Sequence, residues 1–263
     1  MTRHLFIVLA LLASSANACV ITLAYNDISA PPHYFGDAGK TPKHPGPAIE
    51  LVDISAAKLG CKIVWQRKPL KRILRELETN TIDATLALSY STSRANTMAY
   101  PLKNGAPDGS LALWTLSYDF YVKQGSTLTW DDKQFNRPPI RVGANAGYSV
   151  VRDLLALGVA VEEAQGDLNN LGKLVNDRIE AYAGQSLFVD QLREQEQFRG
   201  IEKLGPSIVR KDYFLVFSKG FYASSGDIAI QLWKQIEESK KISGAALDKK
   251  YRVLSSQSIS IFQ

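Results

Sequence analysis

The segment Ser89-Tyr90-Ser91-Thr92-Ser93-Arg94 is the part of this chain best equipped for chemistry on a small anion. It follows a nearly continuous apolar run of strand length, Ile82 to Leu88, and the end of a parallel strand is where α/β sheets hold their ligands. A guanidinium there can grip a carboxylate bidentately, with the Ser89 and Ser91 hydroxyls as further donors. The bland alternative for Arg94 is a solvated loop arginine. Tyr34, Phe35, Tyr90, Tyr148 and Tyr182 fall on segments predicted at strand ends, where aromatic rings can sandwich an aliphatic or planar ligand; each serves equally well as core packing. His33 and His44 share a loop but have neither the i, i+4 spacing nor the third ligand a metal needs, so no metal site is expected. No Gly-x-Ser-x-Gly, Walker or paired-zinc pattern occurs, and no cofactor is implied.

Composition bounds the class that must carry these groups. The chain has 263 residues, 45% hydrophobic and 22% charged, which is ordinary for a globular protein and long enough for two lobes with real cores. A net charge of +5 is modest and lacks the dense basic stripe of a nucleic-acid binder. Arg3 and His4, then the apolar run Leu5 to Ala13, then Ala16-Asn17-Ala18 make the three regions of a secretory signal peptide, cleaved after Ala18. A lipoprotein signal would want a Leu-type residue where Ala16 stands. Export implies a periplasmic location. Cys19 and Cys61 each open a predicted strand; if those strands are parallel neighbours the two can bridge, and otherwise they are free thiols.

The elements alternate. Val20 to Tyr25 reads as a strand, and a Pro-rich loop follows to Gly46. A helix then starts at Pro47, with Ile49, Val52, Ala56 and Leu59 on one face and Gly60 as its stop. Ile63 to Trp65 is the next strand, Leu70, Ile73, Leu74 and Leu77 mark an amphipathic helix ended by Asn80, and the Ile82 strand completes a βαβαβ run. The second half repeats the idea: strand Ile140 to Val142, a helix through Val150 to Leu155, strand Val159 to Val161, a helix through Leu168 to Val175, and strand Ile179 to Ala183. Tyr118 to Lys123 and Tyr213 to Ser218 are aromatic strands placed where the chain would cross between lobes, and the tail predicts a helix through Trp233 and a shorter one ending near Tyr251. The expected lobes are therefore 19–118 with 218–263, and 119–217, after a signal at 1–18.

This order of features resembles the bacterial extracellular solute-binding proteins of family 3, the periplasmic receptors of polar amino-acid importers. The resemblance is carried by Tyr25 to Phe35 as a ligand loop, Gly46-Pro47-Ala48-Ile49-Glu50-Leu51 as a helix start, Asn80-Thr81-Ile82-Asp83-Ala84, Ser89 to Arg94, and Pro101. It implies a two-lobed α/β fold of type II, each lobe a mostly parallel sheet flanked by helices, with two crossing strands as hinge. It assigns carboxylate capture to Arg94 with Ser89 and Ser91. It also implies an anion contact from backbone N–H groups of the loop Gly143 to Ser149, with Asn145 and Tyr148 as contacts; alternatively Gly147 and Ser149 only turn and cap the helix. Tyr34 and Tyr182 complete the expected ligand-binding set. One position departs: where such proteins carry an aspartate to pair with a ligand ammonium, this chain has Gln185, a neutral acceptor. Either Asp27 or Glu50 meets the ammonium, or the ligand is no standard α-amino acid; Glu50 also reads as a favourable charge in a helix first turn.

The implied function is binding, not catalysis. A monomer is expected to close its lobes on a small polar, carboxylate-bearing solute, an amino acid or a relative of one, and to pass it to the membrane permease of an ABC importer, with no nucleic-acid partner. Two alternatives stand beside it: an enzyme resembling cyclohexadienyl dehydratase, which needs a tuned acid in the cleft, and a free-standing solute sensor or accessory protein.

Overall fold

A computed structural model describes residues 19–36 and 39–259. The expected signal at 1–18 lies outside them. In chain order the elements are β1 (Cys19–Asn26), α1 (Pro47–Lys58), β2 (Cys61–Lys68), α2 (Leu70–Glu78), β3 (Ala84–Ser89), α3 (Thr92–Thr97), β4 (Met98–Ala99), β5 (Leu102–Lys103), β6 (Ala106–Pro107) and β7 (Trp114–Lys123). There follow β8 (Val142–Asn145), α4 (Val150–Ala156), β9 (Val161–Ala164), α5 (Asp167–Val175), β10 (Ala181–Gln185), α6 (Ser186–Leu192), β11 (Ile201–Ser218) and α7 (Lys219–Ile259).

The fold is the two-lobed α/β arrangement. One lobe is built on β2-β1-β3 and the other on β10-β8-β9, with parallel pairing inside each triplet. The two sheets are not separate: β11 pairs antiparallel with β3 and then with β7, and β7 pairs antiparallel with β10, so one mixed sheet runs through both lobes. Where the sequence predicts a short strand from Tyr213, β11 has 18 residues. Its first part, rich in Glu202, Lys203, Arg210 and Lys211, is a polar edge ribbon against β7, and only Tyr213 to Ser218 is uniformly buried.

Alternation along β1 explains the first core. Ile21, Leu23 and Tyr25 point to the face covered by α1 and α7, whereas Ala24 points to the face covered by α2. Helix α2 buries Ile73 and Leu77 completely, each contributing about 1.5–3 kcal/mol. Asp83 stitches the lobe: Thr22 N–H donates to its carboxylate at 2.7 Å, and Ser218 N–H donates to its carbonyl at 2.8 Å. The second lobe has cores on both faces, one around Phe120, Trp130 and Phe135, the other around Leu171, Leu174 and Tyr182.

Cys19 and Cys61 face each other in the parallel β1–β2 ladder, with Cα atoms 4.4 Å apart, and form a disulfide. Gly46 precedes α1 at φ 120, a conformation open to glycine, and a Cβ there would lie 2.4 Å from Tyr34 Cα. The tail differs from expectation in where it breaks: α7 is two helices meeting at a kink at Ser225, and the second continues through Trp233 and Tyr251 to Ile259, where the sequence predicts a break between those residues. Among the described residues no helix is long and apolar enough to cross a membrane.

Candidate functional site

Strand β3 ends at Ser89, and Ser91 caps α3 by accepting from the Arg94 N–H at 3.4 Å. This turn brings Arg94 back over the strand end, where it is 4% exposed. Its Nη1 donates to the Ser89 carbonyl at 2.9 Å and to Ser89 Oγ at 3.1 Å, and its Nη2 donates to the Gly147 carbonyl at 2.9 Å. Nε is buried without a partner. One guanidinium thus holds both lobes and keeps donor capacity in reserve.

Other contacts cross at the same place. Ser89 Oγ lies 2.8 Å from Ser149 Oγ, which also accepts from Lys211 Nζ at 2.9 Å. Lys211 pairs with Asp153, and burial pulls its ammonium below the usual lysine range. Nearer the rim, Lys71 and Glu163 approach to 3.7 Å, and Arg152 donates to Ser93. The lobes are closed on each other.

Between them lies a cavity. Arg94, Ser89 and Ser149 form one polar region of its wall, and Gln185, Tyr118 and Tyr213 form another. Gln185 ends β10 opposite Tyr118 of β7. Its Nε2 donates to Tyr118 Oη at 3.0 Å and to Tyr213 Oη, and the two phenols are 2.8 Å apart. Burial pushes Tyr213 up to about 12 and Tyr118 well above the usual tyrosine range, so both phenols stay neutral. Tyr34, Trp114, Leu116, Tyr148 and Phe188 supply apolar wall. Behind Trp114, His33 stacks on the indole with ring centroids 3.9 Å apart, and desolvation lowers its imidazole to about 4.

Of the residues singled out in the sequence, Arg94, Ser89, Tyr34, Tyr148 and Gln185 come together on this wall. Ser91 instead caps α3. Asn145 and Tyr182 belong to a neighbouring network: Asn145 Nδ2 donates to Asp167 Oδ1 at 2.9 Å, Tyr182 Oη donates to the same carboxylate, and Asn170 Nδ2 donates to Asn145 Oδ1 at 2.9 Å. Burial raises the Asp167 carboxyl above its ordinary value. Asn145 also lines an adjoining hollow with Asn26, Ile28 and Gly166. The loop Gly143 to Ser149 differs from the expectation of free N–H donors. Gly147 N–H donates to Glu163 Oε2 at 2.7 Å, Ala146 N–H to Ala164 O and Tyr148 N–H to Asn145 O, so it is the Gly147 carbonyl that reaches Arg94. Glu50 is remote from the cavity wall, accepting from Lys250 Nζ and Tyr251 Oη. Sequence reasoning missed Tyr118, Tyr213, Trp114 and Phe188 as wall residues; the two tyrosines were visible only as parts of aromatic strands. Among the described residues no group of three or more His, Cys, Asp or Glu could hold a metal.

No family model matches the chain, and no curated protein matches it by sequence. Solved structures do match its fold. An ancestral arginine-binding protein bound to arginine has a TM-score of 0.64 at 17% identity, covering 88% of this chain and 96% of its own. An arginine transport-system periplasmic binding protein from Legionella pneumophila has a TM-score of 0.65 at 14% identity, covering 91% and 99%. A histidine kinase sensor domain with similarity to periplasmic binding proteins has a TM-score of 0.65 at 12% identity, covering 90% and 95%. At these identities the likeness shows the fold alone.

Proposed function

We propose that this protein is a periplasmic solute-binding protein that closes on a small polar, carboxylate-bearing solute and delivers it to an ABC-type permease. The lobes would be 19–118 with 218–263, and 119–217, hinged on β7 and β11. The observation that carries the reading is the Arg94 guanidinium, buried at the interlobe cavity with Nε unpartnered. A carboxylate there would satisfy that donor with a charge-assisted bond, and the Ser89–Ser149 and Arg94–Gly147 bonds would couple its capture to closure. The arginine- and amino-acid-binding proteins of like fold support a solute of this size and polarity.

Isothermal titration of a carboxylate library tests it. Wild-type protein is expected to bind at least one member at micromolar affinity, and Arg94→Ala to weaken that by about 100-fold or more, as for a buried charge pair that loses one partner. Binding no tighter than millimolar throughout, or an unchanged affinity in Arg94→Ala, would sink the proposal. The dehydratase alternative needs an acid in the cavity, and the described residues lining it include no carboxylic acid or imidazole. Prephenate loss on incubation would decide for that enzyme. The likeness to a kinase sensor domain supports a sensor reading of the same site. Stimulation of solute uptake in permease-bearing vesicles by the loaded protein separates delivery from signalling.

A further inference from the structure

We infer that the solute carries no ammonium group: the cavity selects a 2-hydroxy carboxylate with an apolar side chain over the matching α-amino acid. This rests on the proposed carboxylate-binding role of the cavity.

The argument is a charge inventory. The fixed charge on the cavity wall is the Arg94 cation, with Lys211 immediately behind Ser149. No Asp or Glu is among the described residues that line the cavity. Three of the acids around it are engaged elsewhere: Asp153 with Lys211, Asp167 with Asn145 and Tyr182, Glu163 with Gly147 N–H and Lys71. An α-ammonium would therefore be buried beside a like charge with no counter-ion on the wall, which is among the most costly arrangements in a protein interior.

The other polar region of the wall suits a neutral donor. Gln185 gives Nε2 to the Tyr118 and Tyr213 phenols, which leaves its amide oxygen as an acceptor. Tyr213 stands opposite Ser89 in the β11–β3 ladder, so this region adjoins the Arg94–Ser89 carboxylate site. A hydroxyl on the carbon next to the carboxylate can donate to such an acceptor without bringing a charge. Tyr34, Trp114, Leu116 and Phe188 leave the remainder of the cavity apolar. The rival for an ammonium is Asp27, adjacent in sequence to the wall residue Asn26; the Asp27 Oδ1 is buried without a partner, although Asp27 is not itself on the wall.

Isothermal titration with three matched pairs, lactate and alanine, 2-hydroxyisocaproate and leucine, phenyllactate and phenylalanine, tests the inference. The hydroxy acid of the best-binding pair is expected to bind at least about 30-fold more tightly than its amino counterpart, the low end of the effect of leaving a buried charge unpaired. Gln185→Glu, whose carboxylate would accept from the phenols to which the amide now donates, is expected to narrow or reverse that preference. An amino acid binding as tightly as its hydroxy partner overturns this inference and leaves the proposed function standing; loss of that binding in Asp27→Asn would assign the ammonium to Asp27. If neither series binds, this inference is overturned, and the wider carboxylate library then decides the proposed function separately. Should Gln185→Glu fail to fold, the wild-type pairs decide the question alone.

Discussion

Acidification should destabilise this protein through His33, and the size of the effect follows from where the ring sits. The imidazole lies flat on Trp114, 5° from parallel, and meets the edge of Phe188 with centroids 6.1 Å apart. Its Nε2 is buried without a partner, and the hollow on its outer side also includes Lys240 and Asp248. Desolvation holds the folded pKa at about 4, against 6.5 for the free side chain. The unfolded chain therefore binds the proton more readily, so His33 supports folding fully above pH 6.5 and its contribution is lost as pH falls toward 4. The whole shift corresponds to about 3 kcal/mol, of which about 2 kcal/mol is gone by pH 5; partial exposure of the ring makes both figures ceilings. Urea unfolding followed by circular dichroism at pH 7.5, 6 and 5, on wild type and His33→Phe, measures it. Wild type is expected to lose up to about 2 kcal/mol more than the variant between pH 7.5 and 5. Asp53 and Asp167, raised by burial, act with the opposite sign, since the folded state then binds protons more readily, and they cancel in the comparison. Parallel pH profiles for the two proteins would refute the assignment.

Reducing the Cys19–Cys61 bridge, which closes a separation of 42 residues, should lower stability by up to about 4 kcal/mol, seen as a drop in urea midpoint with dithiothreitol. Solute affinity should not change, because the bridge lies at the opposite ends of β1 and β2 from the cavity. Gly46→Ala would drive a Cβ to 2.5 Å from His33 O and strain a backbone at φ 120. A stability loss of about 2 kcal/mol or more is expected by calorimetry, with weaker solute binding as Tyr34 is displaced.

Much of the scaffold was legible in the sequence because burial writes a periodic signal. The βαβαβ run, the Pro47 start of α1, the Asn80 stop after α2 and the cysteine pairing all rest on local patterns. The long first part of β11 was not legible, since an edge ribbon carrying Glu202, Lys203, Arg210 and Lys211 has no apolar alternation to read. The site divides in the same way. Arg94 and Ser89 are five residues apart and their meeting follows from one turn. The Gln185, Tyr118 and Tyr213 cluster joins residues up to 95 apart through strand register, which the local sequence does not encode. Asn145 and Tyr182 stand on strands that the apolar pattern predicts, while their partner Asp167 sits at the start of a helix whose side-chain direction only tertiary packing sets.

Trp114 gives the cavity its own optical signal. Of the four tryptophans it is the one on the cavity wall; Trp130 and Trp233 are buried in lobe cores, and Trp65 is tied to Asp53. Its indole is bounded by His33 on one side and faces Tyr213 at 6.4 Å. A solute entering the cavity alters the polarity around that chromophore directly, so emission wavelength and quenching by iodide would report occupancy in unlabelled protein, and with Trp114 replaced by Phe the remaining three fluorophores would fall silent to it.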